Sequence, residues 1–314
     1  MKDDPDFLEI ASISAANLNA GLAALHGYLK FASVLWIRSL GEPTLRGIII
    51  RRWSLRTAAA LRVFCARHGS GAVLLRIDKY HSRWSARRGG YIIPASDVER
   101  TVVELSKEGE ITAVLEPASP NRDLYCLACV TDPELRKIVV EVVGPGFDTS
   151  DLVRGDLLPH ERFEVPIPLD DPYALLASPL VPRRIHVISQ DDYVRSVEDR
   201  LAKIGARLRN PAFPKEAIGE PDQLREEARS ALREAGETLL LRHAARYQPI
   251  PEEFLIRFVS GVVRMLVGLD RHAIRLGAAT FSGTFMQRRK LVYWDFFPAD
   301  ATKAHLLYSR RPGA

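Results

Sequence analysis

The chain of 314 residues has few cysteines, and this scarcity excludes a disulfide-stabilised fold. Only Cys65, Cys126 and Cys129 are present, and their spacing is irregular. Cys126 and Cys129 form a CxxC motif without a second pair, whereas a structural zinc ion needs two further ligands at comparable spacing. We therefore predict that these two cysteines are buried, reduced thiols within a strand.

Long hydrophobic runs and targeting patterns are also missing. The longest apolar stretches, such as residues 262–269, are much shorter than a membrane-spanning helix. Residues 1–10 are acidic and lack the basic and then apolar pattern of a signal peptide. The sequence shows no internal repeat and no low-complexity tract. We therefore expect a cytoplasmic protein without a membrane partner.

Acidic residues are absent between Pro43 and Ile77, where the chain carries seven arginines. The net charge of the whole chain is only +5, so this segment concentrates positive charge locally. Such a field attracts anions, which include nucleotides, acidic substrates and nucleic acids. Three of the arginines lie in or beside apolar strands, where an unpaired charge is costly, and we expect these three to have partners. They are Arg51, Arg52 and Arg76, whereas Arg56, Arg62 and Arg67 are expected on a solvated helix face.

Residues 72–147 have the pattern of one ordered unit, in which a strand is followed by a basic glycine turn, a helix and three more strands. The turn is RRGGY at 87–91, and the helix at 96–105 begins with Ser96 and Glu99 at the spacing of a capping box. A glycine turn lets backbone N–H groups approach phosphate oxygens, and arginines beside it supply countercharge. This order therefore indicates a nucleotide site. The four strands are predicted at 72–78, 111–117, 124–130 and 137–144.

The flanking segments are predicted from the same kinds of pattern. Residues 31–40 and 45–53 are interpreted as two short strands joined by Gly41, Glu42 and Pro43. A long loop at 144–165 and a proline-rich break at 166–182 follow the central unit. Beyond them we predict a strand at 183–190, helices at 189–208, 221–247 and 251–277, and a closing hairpin of strands at 278–285 and 291–300.

This layout resembles the ATP-grasp superfamily between about residues 54 and 300. Members of that superfamily clasp ATP between two α+β lobes and usually form an acyl phosphate that a nucleophile then attacks. The resemblance implies an α/β protein of ATP-grasp-like architecture, with a helix-rich insertion and a closing β-hairpin. Its expected parts are an N-terminal lobe at 1–70, a nucleotide-clasping α+β unit at 71–165, and the helix-rich segment with the hairpin at 166–314.

The resemblance also implies residues that contact the nucleotide. A cation at the end of the first strand touches the phosphates, a glycine-rich loop closes over them, a glutamate marks the adenine-side hinge, and an acid binds the ribose. In this sequence the corresponding residues are Arg76 or Lys79, then Arg88, Gly89 and Gly90, then Glu116, and finally Asp123. Each group has a structural alternative: an ion pair for Arg76, an ordinary hairpin turn for the two glycines, and a strand-end turn for Glu116.

The closing hairpin carries the magnesium site in the family that this chain resembles. Asp295 matches the acidic position of the last strand, and the resemblance implies that it binds Mg²⁺. Phe297 falls where the family has asparagine, and Thr280 and Ser282 fall where an acid is usual. A magnesium ion is usually held by carboxylate oxygens together with phosphate and water, so this motif departs from the family pattern.

The loop at 144–165 contains a second group of candidate residues. Arg154 has the planar fork that matches a carboxylate, and we interpret it as the residue that orients an acidic substrate. His160 is a candidate general base near neutral pH, and the alternative is a histidine at the surface beside Pro159. Long loops with such composition are often functional.

The expected function is therefore that of an ATP-dependent ligase. It would join a carboxylate to an amine or another nucleophile through an acyl phosphate, with ATP and Mg²⁺ as cofactors and a small acidic substrate as partner. One alternative is a non-catalytic nucleotide-binding or regulatory module. Another is a nucleic-acid-binding protein that uses residues 46–76, whose affinity would fall steeply with salt.

Overall fold

A computed structural model of the protein contains two compact units. The first comprises residues 1–118 and 203–234, and the second comprises residues 119–202 and 235–314. The three segments expected from the sequence, 1–70, 71–165 and 166–314, stay a prediction. The structure describes residues 6–13, 29–68, 72–78, 89–107, 111–115, 123–132, 137–147, 152, 157–166, 179–209, 229–230, 232–233, 236–237, 239–241, 246–271, 279–286 and 290–298.

The first unit is built on a five-stranded antiparallel sheet with helices packed against it. The strands follow the order β1-β2-β5-β3-β4 across the sheet. Their bounds are Phe7–Glu9 (β1), Gly47–Ile50 (β2), Ala72–Asp78 (β3), Gly89–Pro94 (β4) and Ile111–Leu115 (β5). The helices are Leu29–Ser39 (α1), Leu55–His68 (α2) and Val98–Lys107 (α3).

The core of the first unit lies between this sheet and helices α2 and α3. Alternate residues of β3 are buried there, as the two-residue period of a strand requires: Val73, Leu75 and Ile77. Helix α2 buries Leu61 and Phe64, which lie one turn apart on one face. The side chains between those of β3, among them Arg76, therefore point to the other face of the sheet.

The second unit is built on a six-stranded antiparallel sheet. The strands follow the order β11-β10-β6-β7-β8-β9, so the closing hairpin lies beside β6. Their bounds are Asp123–Asp132 (β6), Lys137–Val143 (β7), Glu161–Pro166 (β8), Arg183–Val187 (β9), Ala279–Met286 (β10) and Lys290–Pro298 (β11). Two further helices are Gln190–Arg209 (α4) and Glu252–Arg271 (α5).

Helix α5 covers one face of the six-stranded sheet through aromatic contacts. The ring of Phe254 stacks on that of Phe285 with 4.5 Å between the centroids, and Phe258 stacks on Tyr293 at 5.3 Å. The Tyr293 hydroxyl donates a hydrogen bond to the carbonyl oxygen of Phe258 at 2.6 Å, which satisfies this buried polar group. Among the described residues, no helix is both long and apolar enough to cross a membrane.

The fold confirms the mixed helix and strand composition and most of the predicted elements. Strand β3 has the predicted bounds, and the closing hairpin is present. Helix α4 begins after Ser189 as expected, because the Ser189 hydroxyl accepts a hydrogen bond from the Asp192 N–H at 3.1 Å. The predicted helix at 221–247 falls largely outside the described residues.

The strand predicted at 31–40 is wrong, because these residues belong to helix α1. Gly41 adopts a left-handed backbone conformation with φ of 85°. The Glu42 N–H donates to the Ile37 carbonyl and the Gly41 N–H donates to the Arg38 carbonyl, each at 3.0 Å. This is the Schellman ending of a helix, and Pro43 follows where the helix cannot continue. Glycine and proline here mark the end of a helix and not a link between strands.

Candidate functional site

One line of residues runs across all six strands of the second sheet and places several polar residues on one face. Directly opposed residues of an antiparallel pair share a face, so the strand register places these residues together. We call this line the polar row; it comprises Asp295, Ser282, Ala128, Glu141, Arg162 and His186. Helix α5 packs on the other face, where Phe281 and Phe285 lie.

A buried ion pair occupies the middle of the polar row. The Nε and Nη2 atoms of Arg162 donate hydrogen bonds to Glu141 Oε1, the first at 3.0 Å. The side chains are only 13% and 4% exposed, respectively, so solvent screens the pair weakly. Arg162 uses two of its five N–H donors in this contact. The pKa of the neighbouring His186 is lowered, first by burial and then by the positive charge of Arg162.

A hydrogen-bonded chain lies beside the polar row at the closing hairpin. The indole Nε1 of Trp294 donates to Thr284 Oγ1 at 2.7 Å, and Cys126 Sγ lies 3.6 Å from the same hydroxyl. Cys126 Sγ also donates to the carbonyl oxygen of Phe147 at 3.3 Å. The prediction of buried, reduced thiols is confirmed, because Cys126 and Cys129 are both free and buried. Burial raises the pKa of the Cys129 thiol.

His160 lies in the interior of the second unit, so the alternative of a surface histidine is wrong. Its Nδ1 accepts a hydrogen bond from the Gly144 N–H at 3.1 Å, and its Nε2 lies 3.4 Å from the Ser196 hydroxyl. The rings of Phe147 and Tyr193 meet the imidazole edge-on, with centroids 4.7 Å and 5.1 Å away. A backbone N–H can only donate, so the neutral ring carries its proton on Nε2. The role of His160 as a general base stays a prediction.

Burial lowers the pKa of His160 from 6.5 to about 3. At a pH between these two pKa values, the unfolded chain binds a proton at His160 that the folded chain does not bind. Acid therefore favours unfolding. We expect the free energy of unfolding to fall by up to about 1.4 kcal/mol for each pH unit below about 6, and to show no dependence on His160 above pH 7.5. Urea unfolding of the wild type between pH 7.5 and 4.5 measures this slope.

The matched variant for this prediction is His160→Gln. Its side-chain amide can still accept a hydrogen bond from the Gly144 N–H, and it does not titrate. The wild type should therefore lose more stability on acidification than the variant does. Parallel pH profiles of the two proteins would contradict a buried, neutral histidine.

Arg76 is the predicted nucleotide-binding residue that the structure describes most fully. Arg76 lies on strand β3 of the first unit and is only 6% exposed. The strand register places Gly90 of β4 on one side of it and Ala113 of β5 on the other. We call these three residues the Arg76 rung. Both neighbours are small, so no large side chain flanks the guanidinium along this rung.

The predicted turn at Gly89 and Gly90 is wrong in its position. Both glycines belong to strand β4, where Gly89 pairs with Ile77 and Gly90 pairs with Arg76. The strand ladder continues through them because glycine can adopt extended backbone angles as well as turn angles. The segment that joins β3 and β4, residues 79–88, lies outside the described residues. Whether these glycines contact phosphate stays a prediction.

The remaining predicted site residues are described in part or not at all. Asp123 is the first residue of β6 and pairs with Met286, and Asp295 lies in β11 opposite Ser282. These two acids therefore lie on strands of the same sheet. Lys79, Arg88, Glu116 and Arg154 lie outside the described residues.

The donors of the closing hairpin do not fit the acidic magnesium site that the family resemblance implies. Ser282 lies opposite Asp295, and the next rung on the same face pairs Thr280 with Phe297. These two rungs supply one carboxylate, whereas protein sites for divalent cations are usually built from several oxygen ligands that include carboxylates. Among the residues that the structure describes, no group of three histidines, cysteines or acids could hold a metal ion.

The sequence interpretation missed Glu141 and Arg162. The sequence pattern places Glu141 in an apolar strand and Arg162 in the long loop predicted at 144–165, whereas Arg162 belongs to strand β8. The available signal is the single acidic residue within the apolar run IVVEVV, because a charge inside a sheet needs a partner on an adjacent strand.

Some arginines of the arginine-rich segment at 46–76 form ion pairs within the first unit. Arg52 Nη2 lies 2.8 Å from Asp6 Oδ1, which confirms the expectation of a partner for this residue. Arg62 Nη1 lies 3.2 Å from Glu99 Oε2, and both side chains are exposed, as expected for a helix surface. Two of the seven arginines of this segment therefore form ion pairs within the protein, and Arg76 is buried.

No protein-family model and no curated protein sequence matches the chain. The chain is similar to the solved structure of D-alanyl-alanine synthetase A from Vibrio cholerae (9% identity, TM-score 0.32, 88% of this chain and 56% of that one). It is also similar to a macrocyclase from Microcystis aeruginosa bound with its precursor peptide, with 8% identity and a TM-score of 0.38 over 92% of this chain and 57% of that one. A third similar structure is an ATP-grasp ligase from Chryseobacterium gregarium in complex with ADP and a leader and core peptide. It has 8% identity and a TM-score of 0.33 over 88% of this chain and 58% of that one. The chain thus spans little more than half the length of each, and this degree of likeness assigns no activity.

Proposed function

We propose that this protein binds ATP and acts as an ATP-dependent ligase that joins a carboxylate to an amine or another nucleophile. The observation that carries the proposal is the Arg76 rung. Arg76 brings a positive charge to a residue that is only 6% exposed, and it also interacts with other groups of the protein. The strand register places the small residues Gly90 and Ala113 on either side of Arg76, and glycine in a strand often marks a close approach by a ligand.

The order of elements around this rung supports the choice of ATP as the anion. Strand β3 leads through a basic segment to β4, and helix α3 and strand β5 follow, as in the superfamily that the sequence resembles. The further nucleotide contacts that we propose are Lys79, Arg88, Gly89, Gly90, Glu116 and Asp123. Arginine is suited to this role because its fork donates two parallel hydrogen bonds to phosphate oxygens.

The proposed reaction has two steps. A carboxylate oxygen of the substrate attacks the γ-phosphorus of ATP, and the bond to the β-phosphate oxygen breaks to release ADP. The nucleophile then attacks the carbonyl carbon of the acyl phosphate, loses its proton, and inorganic phosphate leaves. Cations such as Arg76 offset the negative charge that develops on the phosphates, and Arg154 is proposed to orient the substrate carboxylate.

Titration calorimetry with ATP tests the nucleotide assignment. We expect Arg76→Ala to weaken ATP affinity at least about tenfold, because a charge-assisted hydrogen bond contributes about 1.5–3 kcal/mol. Arg76→Lys keeps the charge and should retain part of the affinity. Arg62→Ala is the matched control, since this arginine is exposed and pairs with Glu99 in the same unit. Equal ATP affinities of Arg76→Ala and the wild type would refute the role of this rung.

A non-catalytic nucleotide-binding module is the second candidate, and one observation favours it. The residue opposite Asp295 is Ser282, where the ligases that the sequence resembles usually carry an acid. Measuring ADP release with a panel of carboxylates and amines separates the two candidates. Turnover with any pair establishes a ligase, whereas ATP binding without turnover across the panel favours the module.

A further inference from the structure

We propose that the exposed side of helix α2 binds an amphipathic helix of another protein, one that carries acidic residues beside an apolar stripe. The inference is independent of the proposed ATP binding, because it concerns a surface that helix α2 forms by itself. It is carried by four exposed apolar residues and three exposed arginines. We call this surface the outward face of α2; it comprises Leu55, Ala59, Val63, Ala66, Arg56, Arg62 and Arg67.

The apolar residues of the outward face form one stripe along the helix. Each helical residue advances by about 100°, so the four apolar residues fall within about 80° of one another around the axis. Leu55 is 88% exposed and Val63 is 50% exposed. The other side of the helix already buries Leu61 and Phe64 in the core of the first unit. A surface helix usually has one apolar stripe, which faces the core, so a second and exposed stripe indicates a further contact.

Arginines border this stripe on both sides. At the same advance per residue, Arg62 lies beside Leu55 at one border, whereas Arg56 and Arg67 lie at the other border. Arg62 forms an exposed ion pair with Glu99, which partly offsets its charge. Helix α2 itself contains no acidic residue. The outward face therefore combines apolar surface with net positive charge.

This combination determines the chemistry of the partner. A helix whose own apolar stripe is bordered by Asp or Glu would bury apolar side chains on Leu55 and Val63 and place carboxylates opposite the arginines. Leu55 and Val63 are about 12 Å apart along the axis. The short side chain of Ala59 lies between them, so a larger side chain of the partner can insert there.

Other occupants fit the outward face less well. Pairing of α2 with α2 of a second copy would bring arginines together, and like charges repel. Nucleic acid binds through phosphate contacts, which do not use an apolar stripe. Helices that lie in a membrane interface usually bury Trp, Phe or Leu, whereas Leu55 and Val63 are the two large apolar residues of this face.

The test uses a labelled synthetic peptide of three heptads, with leucine at positions a and d and glutamate at positions e and g. Its counterpart carries lysine at positions e and g. In fluorescence anisotropy at about 0.15 M salt, we expect the full chain to bind the glutamate peptide with a micromolar dissociation constant, because one helix pair buries less surface than a standard interface. The lysine peptide should bind at least about tenfold more weakly. No binding of the glutamate peptide, or equal binding of the two peptides, would overturn the inference.

Two double variants separate the apolar and the charged parts of the outward face. Leu55→Gln with Val63→Gln removes the large apolar groups at exposed positions and keeps a good helix former at both. Arg56→Glu with Arg67→Glu reverses the charge at one border and should reverse the preference between the two peptides. Each double variant should bind the glutamate peptide at least about tenfold more weakly than the wild type does. Unchanged affinity in the glutamine variant would contradict a contact through the apolar stripe.

The control variant reverses two exposed arginines of helix α4, Arg195→Glu with Arg207→Glu, and changes the net charge by the same amount. Its affinity for the glutamate peptide should stay within about twofold of the wild type. A loss as large as that of Arg56→Glu with Arg67→Glu would show a response to net charge alone and overturn the inference.

Three further measurements address the other occupants. Phosphatidylserine vesicles and duplex DNA are titrated in place of the peptide, and sedimentation reports self-association of the chain. Tighter binding of vesicles or of DNA than of the glutamate peptide, with loss in the α2 variants, would assign the face to that ligand and overturn the inference. Self-association that Leu55→Gln with Val63→Gln abolishes would assign it to a second copy and overturn the inference as well.

Discussion

Gly47→Ala is expected to lower the free energy of unfolding by about 3 kcal/mol, the upper end of the range for overpacking. A Cβ atom at this position would lie 2.4 Å from Leu115 Cδ2 and 2.6 Å from the carbonyl oxygen of Val114. The leucine side chain can rotate, but the carbonyl belongs to strand β5, which pairs with Gly47 along the ladder. Relieving the clash therefore requires the two strands to separate.

Urea unfolding followed by far-UV circular dichroism measures this effect. Gly205→Ala is the matched control, because the nearest atom to its new Cβ would be Arg209 Nη1, the end of a flexible side chain, at 3.4 Å. Alanine in a helix such as α4 is worth roughly 0.5–1 kcal/mol over glycine, so the control should be neutral or more stable. Equal stability of Gly47→Ala and the wild type would show that β2 and β5 are not packed as described.

Glu161→Ala is expected to destabilise the second unit by about 4 kcal/mol, because it removes a buried carboxylate with three partners. Glu161 Oε1 accepts hydrogen bonds from the Tyr247 hydroxyl at 2.6 Å and from the Ile250 N–H at 2.7 Å. Arg184 Nε lies 3.1 Å from Oε2. The carboxylate thus joins strands β8 and β9 to the segment that precedes helix α5. Burial also raises the pKa of the Tyr247 hydroxyl, which keeps it protonated as a donor.

The control for this prediction is Glu164→Ala on the same strand. Glu164 pairs with Lys137, and both side chains are more than a quarter exposed. Partly exposed ion pairs contribute at most about 1 kcal/mol, so this variant should be only slightly destabilised. Urea unfolding at pH 7.5 compares the two variants. Similar losses in the free energy of unfolding would mean that the contacts of Glu161 add little to stability.

The sequence predicts where the strands of this protein lie better than it predicts which strands and side chains meet. The apolar runs of β3, β6 and β7 are long and bounded by polar residues, so local periodicity suffices to place them. The sequence does not predict helix α1 because Val34 and Ile37 favour strands locally, whereas their burial together with Phe31 and Leu35 decides for a helix. In that segment the helix-ending residue Gly41 is a better signal than the local strand preference.

The buried polar contacts depend on register and on distance along the chain, which local patterns do not reveal. Glu141 and Arg162 are 21 residues apart and meet only because β7 and β8 pair in one particular register. Tyr247 and Glu161 are 86 residues apart. Of the candidate site residues, Arg76 could be placed from its strand alone. The burial of His160 could not, because it depends on rings contributed by α4 and by the segment before α5.

The pairing of β10 with β6 has a consequence for the order of events during synthesis. Cys126 on β6 meets Thr284 on β10, which the ribosome adds 158 residues later. Until then β6 has β7 on one side and an unpaired row of backbone N–H and C=O groups on the other, and such an edge invites pairing with other chains. The nascent protein therefore depends on a late segment to close its second sheet. A contact this distant in sequence makes folding of that sheet slow relative to that of a helical bundle of the same size.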